Sequence, residues 1–146
     1  MAHLSSLGSN PTLVDVYKAY PGIARHTLGM AEVAFNLTDQ LSHAECEMLG
    51  AYISRLNGCD YCAGIHTEAT VSAGLERSVF DIDPDTSKPA YGGPRWRPVF
   101  ALMELLTVSP ARVDQKVIDD LGQQEWSDEA IIQLTAISCA FNVLNR

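Results

Sequence analysis

Four residues between positions 47 and 66 carry side chains that can perform redox chemistry together. Cys59 and Cys62 form a C-x-x-C pair, His66 follows four residues later, and Glu47 precedes Cys59 by twelve residues. Two thiols can be oxidised to a disulfide, while an imidazole paired with a carboxylate can remove a thiol proton and return it. These residue types therefore predict a thiol redox site, provided that the fold brings them together.

The composition limits where such a site can work. The chain has 146 residues, of which 47% are apolar and 19% charged, which is typical of a globular domain with its own hydrophobic core. Its net charge of −8 argues against nucleic acid and against an anionic membrane surface as partners. The sequence has neither a basic leader followed by an apolar run nor an apolar stretch near the roughly 20 residues of a membrane span. We therefore expect a cytoplasmic protein, in which a close cysteine pair is more often catalytic, redox-active or metal-binding than structural.

Two helices separated by a short break are predicted to position the four residues. Ser42 with Glu45 three residues later is a capping-box pattern, so a helix should begin at residue 43 and continue to residue 56. Asn57-Gly58 then ends the helix, because glycine suits the left-handed conformation just past a helix end. The next helix is expected to open at Cys59 and to end at Gly74.

Small residues flank Glu47 on the first of these helices. Gly50, Ala51 and Ser54 stack beside it at helical spacings of three and four, so another helix can approach the carboxylate closely. The apolar residues of this helix spread almost all the way round, which is typical of a buried helix. We therefore expect Glu47 to point inward.

The two cysteines are expected to differ in their surroundings. Cys59 lies at a helix N-terminus, where backbone N–H groups and the macrodipole favour a thiolate and where we expect the side chain to be exposed. Cys62 lies one turn further along and should be more buried, on the same helix face as His66. Glu47 on the preceding helix would orient that imidazole, which is the usual arrangement of an activated nucleophile.

The rest of the chain is also predicted to be helical. Asn10-Pro11 is a helix-start signal, and no segment shows the alternation of period two that is typical of strands. Further helices are expected over residues 11–20, 23–37, 95–108, 113–121 and from residue 128 to the end, with a long irregular loop over 76–93. The predicted fold is therefore all-α, with residues 1–146 forming a single helical domain.

The remaining cysteines, histidines and large apolar residues are given structural roles. Cys46 and Cys139 lie inside apolar helices and are expected to pack in the core. His3, His26 and His43 are expected to be polar residues of the terminus or surface. The core is expected to include Met30, Met48, Phe100, Met103 and Phe141.

Two other interpretations of the cysteine pair stay open at this point. Cys59, Cys62, His66 and Glu47 could together bind zinc, although the second C-x-x-C and the long spacer of a zinc finger are missing. The two cysteines could also be inert core residues. A thioredoxin-like fold is disfavoured because no βαβ pattern surrounds the motif.

The motif also resembles a known family. Glu47, Cys59, Cys62 and His66, set in S-R-L-N-G-C-D-Y-C-A-G-I-H, are similar to the alkyl hydroperoxidase D (AhpD) type of the carboxymuconolactone decarboxylase-like superfamily. The similarity is most specific over residues 41–74 and extends more weakly over the last two helices, where W-S-D-E-A-I-I to F-N-V-L-N-R resembles the closing helix of that group. It implies an AhpD-like helical bundle that assembles through helix packing into homo-oligomers, as trimers or hexamers.

The resemblance also implies a mechanism and partners. By position, Cys62 would be the peroxidatic cysteine that becomes a sulfenic acid, and Cys59 would protonate the leaving group and then form a Cys59–Cys62 disulfide. Glu47 and His66 would form the proton relay. The implied partners are a hydroperoxide substrate and a dithiol or lipoyl-type protein reductant, and we expect no metal and no other cofactor.

Three neighbouring residues are expected to support the site, namely Tyr61, Ser54 and Asn57. Some members of the family carry a histidine at the position of Tyr61, and a phenol ionises too far above neutral pH to shuttle protons in the same way. Ser54 lies beside the carboxylate, and Asn57 lies at the helix break.

The alternatives to a peroxidase are a decarboxylase-like enzyme, a general thiol-disulfide oxidoreductase of the same superfamily, and a non-enzymatic metal-binding protein.

Overall fold

The computed structural model describes residues 5–9 and 11–146, and α-helices make up most of this part of the chain. In chain order they are α1 (Leu13–Ala19), α2 (Pro21–Phe35), α3 (His43–Leu56), α4 (Asp60–Ser72), α5 (Arg97–Val108), α6 (Gln115–Gly122) and α7 (Asp128–Leu144). The all-α fold predicted from the sequence is confirmed.

The sequence determines the bounds of α3 through its two ends. The Ser42 hydroxyl accepts a hydrogen bond from the Glu45 backbone N–H at 3.2 Å, and the Glu45 carboxylate accepts one from the Ser42 backbone N–H at 2.8 Å. At the other end, Gly58 adopts the left-handed conformation with φ +69°. Both end signals predicted for this helix are confirmed.

The other helices pack around α3. This helix contacts α4, α5 and α7 and is buried on nearly all sides, while α2 packs on α7 and α1 packs on α2. The largest fully buried side chains come mainly from α3, α5 and α7, and include Met48, Leu49, Ile53, Phe100, Met103, Leu134, Ile137 and Phe141. The α3–α4 pair that carries the reactive residues is therefore held by the central packing of the molecule.

The segment over residues 76–93 is more ordered than predicted. It contains two short antiparallel strands, β1 (Ile82–Asp83) and β2 (Lys88–Pro89). The Tyr91 hydroxyl donates a hydrogen bond to Glu45 Oε1 at 2.9 Å, which ties this segment to the first turn of α3. The prediction of a wholly irregular loop is wrong in this respect.

The start of α1 also differs from the prediction. The helix begins at Leu13, after a capping box formed by Thr12 and Asp15, and Pro11 lies before it. Asn10 and His3 lie outside the described residues. A threonine with an aspartate three residues later satisfies the backbone groups of the first turn more completely than a single capping side chain does.

Two residues assigned to the core lie at the surface instead. Met30 on α2 is 40% exposed, and Cys139 on α7 is exposed. Both helices are apolar on several faces, but neighbouring helices cover only some of those faces. Cys46, in contrast, is buried as predicted.

No helix within residues 5–9 and 11–146 combines the length and the apolar character that crossing a membrane requires.

Candidate active site

The Glu47 carboxylate lies between two imidazoles. Its Oε2 is 2.5 Å from His66 Nδ1 on α4, and its Oε1 is 3.6 Å from His43 Nε2 one helical turn earlier on α3. The Glu47 side chain is 12% exposed and that of His66 is 25% exposed. A short contact between a carboxylate and an imidazole fixes the orientation of the ring.

The close approach of α7 explains why Glu47 can face inward. A Cβ atom placed on Gly50 would collide with the Phe141 ring, so only glycine allows α7 to come this near to α3. The Phe141 ring packs edge-on against the His66 ring, with 4.6 Å between ring centroids, and stacks on Phe35 of α2 at 6.2 Å. Glycine at position 50 thus lets α7 pack the Phe141 ring against the imidazole.

A disulfide joins Cys59 and Cys62, whose Cα atoms are 5.4 Å apart. Cys59 is the N-cap of α4, and its Sγ accepts a hydrogen bond from the Cys62 backbone N–H at 3.4 Å. Both cysteines are half-buried, so the predicted contrast between an exposed Cys59 and a deeper Cys62 is not seen as a difference in burial. The two differ in what they face, because Cys62 lines a cavity and Cys59 does not.

That cavity has a volume of about 460 Å³ and is mostly apolar. Cys62 and the Glu47–His66 pair lie in its wall, and Tyr61, which is exposed, borders it. The apolar wall comes largely from α1 and α2, through residues that include Leu13, Val14, Leu28 and Phe35. No residue of the segment 76–93 lines it, so the cover of the site is formed by the N-terminal helices.

Polar side chains hold the break between α3 and α4. Asn57 donates hydrogen bonds from Nδ2 to Asn142 Oδ1 and to Asn145 Oδ1, each at 3.0 Å. Asn145 in turn donates to the buried Ser54 hydroxyl at 3.1 Å, and Ser54 donates to the Gly50 carbonyl at 2.7 Å. The end of α7 is therefore joined to the turn that leads into Cys59.

The remaining cysteines lie outside this cluster. Burial raises the pKa of the Cys46 thiol to about 12, so this thiol stays protonated at neutral pH. Cys139 is exposed on α7 and does not line the cavity.

His43 is the site residue that the sequence analysis assigned only to the surface. Its side chain is 67% exposed, yet it lines the cavity and lies beside Glu47. The spacing of four residues between the two on one helix was a signal for this contact. His26, by contrast, is exposed and lies away from the cavity.

The zinc interpretation finds no support in this geometry. Across the described ranges, no group of three or more histidine, cysteine, aspartate and glutamate side chains is placed to hold a metal ion. The arrangement instead offers a dithiol couple beside an imidazole–carboxylate pair, which is suited to moving two electrons and a proton.

Comparison with known proteins adds three findings. The sequence model of the carboxymuconolactone decarboxylase family matches residues 21–104. None of the curated proteins matches the chain. Among solved structures, the fold is similar to that of ATU0492 from Agrobacterium tumefaciens, a protein of unknown function named as a candidate antioxidant defence protein AhpD. The two structures superpose with a TM-score of 0.72 and 21% sequence identity, over 90% of this chain and 88% of that one.

Proposed function

The chain belongs to the carboxymuconolactone decarboxylase family and has an AhpD-like all-helical fold, and we propose that it is a thiol-dependent peroxidase. One observation carries the proposal: a Cys59–Cys62 disulfide lies beside a hydrogen-bonded Glu47–His66 pair, with Cys62 facing an apolar cavity. A couple of this kind can give two electrons to a peroxide bond and recover them from a dithiol.

In the oxidative half-reaction, His66 takes the proton of Cys62 at Nε2 and passes its Nδ1 proton to Glu47, whose other carboxyl oxygen releases one proton to solvent. The Cys62 thiolate attacks the outer oxygen of the hydroperoxide, so that an S–O bond forms and the O–O bond breaks. The departing alkoxide takes the proton of Cys59 and leaves as an alcohol. The Cys59 thiolate then attacks the sulfenic sulfur, and the hydroxide it displaces takes a proton from solvent and leaves as water, while His66 keeps its Nε2 proton.

The sum is balanced in atoms and electrons. Two thiols and one hydroperoxide become one disulfide, one alcohol and one water. A dithiol, either a small molecule or a lipoyl-type group on a protein partner, then returns two electrons by exchanging its thiols for the disulfide. The half-buried Cys59, which lies outside the cavity, suits the attack of this external thiol.

The apolar cavity supports an organic hydroperoxide as the preferred substrate. Its volume of about 460 Å³ exceeds what hydrogen peroxide needs, and its apolar walls would bury a hydrocarbon group of the substrate. Hydrogen peroxide would react at the same sulfur without this contribution to binding.

The experiment is mass spectrometry of the peptide that contains both cysteines, taken from the reduced protein before and after one equivalent of cumene hydroperoxide. We expect the loss of two titratable thiols and a Cys59–Cys62 disulfide, and no such loss in Cys62→Ser. Cys139→Ser is the matched control, because it removes a thiol outside the site and should leave the reaction unchanged. Thiols that stay free in the wild-type protein would refute the peroxidase.

A homo-oligomer, as a trimer or hexamer, is part of the proposal. Large apolar side chains lie exposed on α2 and α7, including Ile23, Val33, Ile132 and Val143. Burying such residues between copies of the chain would stabilise an assembly. Light scattering should give a trimer or a larger species, and a monomer at micromolar concentration would contradict this.

The family match favours one second candidate, a decarboxylase-like enzyme that uses Glu47 and His66 for proton transfer without the thiols. Such an activity would survive in the double variant Cys59→Ser/Cys62→Ser. The peroxidase would not.

A further inference from the structure

His43 forms the outer end of a row of three titratable side chains. Glu47 Oε2 contacts His66 Nδ1 at 2.5 Å, while Glu47 Oε1 lies 3.6 Å from His43 Nε2. The second distance is longer than a hydrogen bond, so proton transfer across it needs a rotation of the exposed imidazole. Because Nδ1 of His66 faces Glu47, its Nε2 is the nitrogen left for Cys62.

The outer end of this row is its most exposed member. The side chains of Glu47 and His66 are 12% and 25% exposed, whereas that of His43 is 67% exposed. A proton that enters or leaves the inner pair along this row meets water at His43.

The fold holds the His43 ring in place. His43 is the first residue of α3, and its ring packs edge-on against Phe35 of α2, with 5.6 Å between ring centroids. The other titratable groups in the cavity wall that it shares are Glu32 from α2, Tyr17 from α1, and Tyr61 with His66 from α4. Glu47 contacts both His43 and His66.

We propose that His43 is a positioning residue that connects the Glu47–His66 pair to solvent and supplies the proton needed when the disulfide is reduced. This role rests on the proposed function only in requiring that the Cys59–Cys62 pair cycles between disulfide and dithiol. It gives the site a second imidazole on α3, on the opposite side of the carboxylate from His66.

The proton is accounted for in the reductive step. A thiolate of the reductant attacks Cys59 Sγ, so that a mixed disulfide forms, the Cys59–Cys62 bond breaks and Cys62 leaves as a thiolate. Cys62 takes a proton from His66 Nε2, the proton shared between His66 Nδ1 and Glu47 shifts onto Nδ1, and His43 gives a replacement to Glu47 Oε1. His43 regains its proton from water, and the second thiol of the reductant displaces Cys59.

The test is stopped-flow reduction of the disulfide form by dithiothreitol at pH 7 in dilute buffer, for the wild type, His43→Gln and His26→Gln. Glutamine keeps an N–H donor for Glu47 Oε1 but cannot exchange a proton. We expect His43→Gln to be about tenfold slower, less than the roughly 10²–10⁴-fold of a side chain that transfers the proton directly, because His43 acts through Glu47, and to recover when imidazole is added. His26→Gln, on an exposed histidine away from the cavity, should match the wild type with and without imidazole.

Two outcomes would overturn the inference: a wild-type rate in His43→Gln, or a slow rate that imidazole fails to restore. Thermal unfolding of each variant shows that the fold is intact. Since dithiothreitol supplies the electrons and no peroxide is present, failure here leaves the peroxidase standing. Failure of the wild type to lose thiols to peroxide would refute the peroxidase and leave this measurement valid.

Discussion

Replacing Gly50 by alanine should disturb the site through the ring of Phe141. The added Cβ would lie within 3.0 Å of three carbon atoms of that ring, closer than real contacts allow. The ring has little room to give way, because Phe35 stacks on it and His66 packs against it. The strain should therefore move α7 or turn the Phe141 ring, and either change displaces His66.

Gly64 provides the matched control for the size of this effect. It also lies inside a helix, but a Cβ placed there meets no atom within 4 Å. Gly64→Ala should therefore stabilise the protein by about 0.5–1 kcal/mol through helix propensity alone. Gly50→Ala gains the same stability from helix propensity but loses about 1–3 kcal/mol of stability to overpacking. The two variants should thus differ by about 1–3 kcal/mol, with a shift of roughly 2–4 °C in unfolding midpoint for each kcal/mol.

Urea unfolding gives the stability difference, and the rate of thiol loss with cumene hydroperoxide gives the effect on the site. We expect Gly50→Ala to react more slowly than Gly64→Ala, by up to about 100-fold for a displacement near 1 Å. The double variant Gly50→Ala/Phe141→Leu should recover stability, since the clash is removed. If Gly50→Ala is as stable and as reactive as Gly64→Ala, Phe141 does not hold His66 in the way described.

Three further outcomes follow from groups outside the dithiol couple. Iodoacetamide at pH 8 should leave Cys46 unlabelled until urea unfolds the chain, and labelling of Cys46 in the native state would contradict its burial. Because burial raises the pKa of Cys46 to about 12, the folded state binds this proton more tightly than the unfolded state does, so the free energy of unfolding should fall as pH rises from about 9 to 12. Urea unfolding at pH 8 and pH 10.5 measures this fall, which should be smaller in Cys46→Ala. Asn57→Ala should lower the free energy of unfolding by about 1–3 kcal/mol, because it leaves Asn142 and Asn145 without the donor that joins them to the helix break, and an unchanged urea midpoint would argue against that role.

The sequence predicted the parts of the site that depend on local signals. The capping box at Ser42 and the glycine at position 58 mark the bounds of α3, because each satisfies backbone groups within a few residues. The small residues beside Glu47 predicted its inward orientation, since only a close helix could use the space that Gly50 leaves. Spacing then placed Cys62 and His66 on one face of α4.

The features that the sequence analysis missed depend on which helix faces are covered by other helices in the folded protein. Cys139 lies on a helix that is apolar on several faces, and only the folded structure shows that no other helix of the described residues covers the face that carries it. The cavity wall likewise depends on α1 and α2 lying over α3 and α4, an arrangement between segments distant in sequence. At the start of α1, two capping patterns overlap, and the pairing of Thr12 with Asp15 proved the stronger.

The position of α7 at the end of the chain has a consequence for how the protein is made. All four reactive residues have been synthesised by position 66, whereas the ring that packs on His66 belongs to Phe141, seventy-five residues later. At the usual pace of translation, about 5–20 residues per second, this interval lasts roughly 4–15 seconds. During it the imidazole lacks its aromatic support and Asn57 lacks both of its partners. If the proposed function holds, the newborn cysteines should behave as ordinary thiols until α7 has been synthesised and packs on α3 and α4.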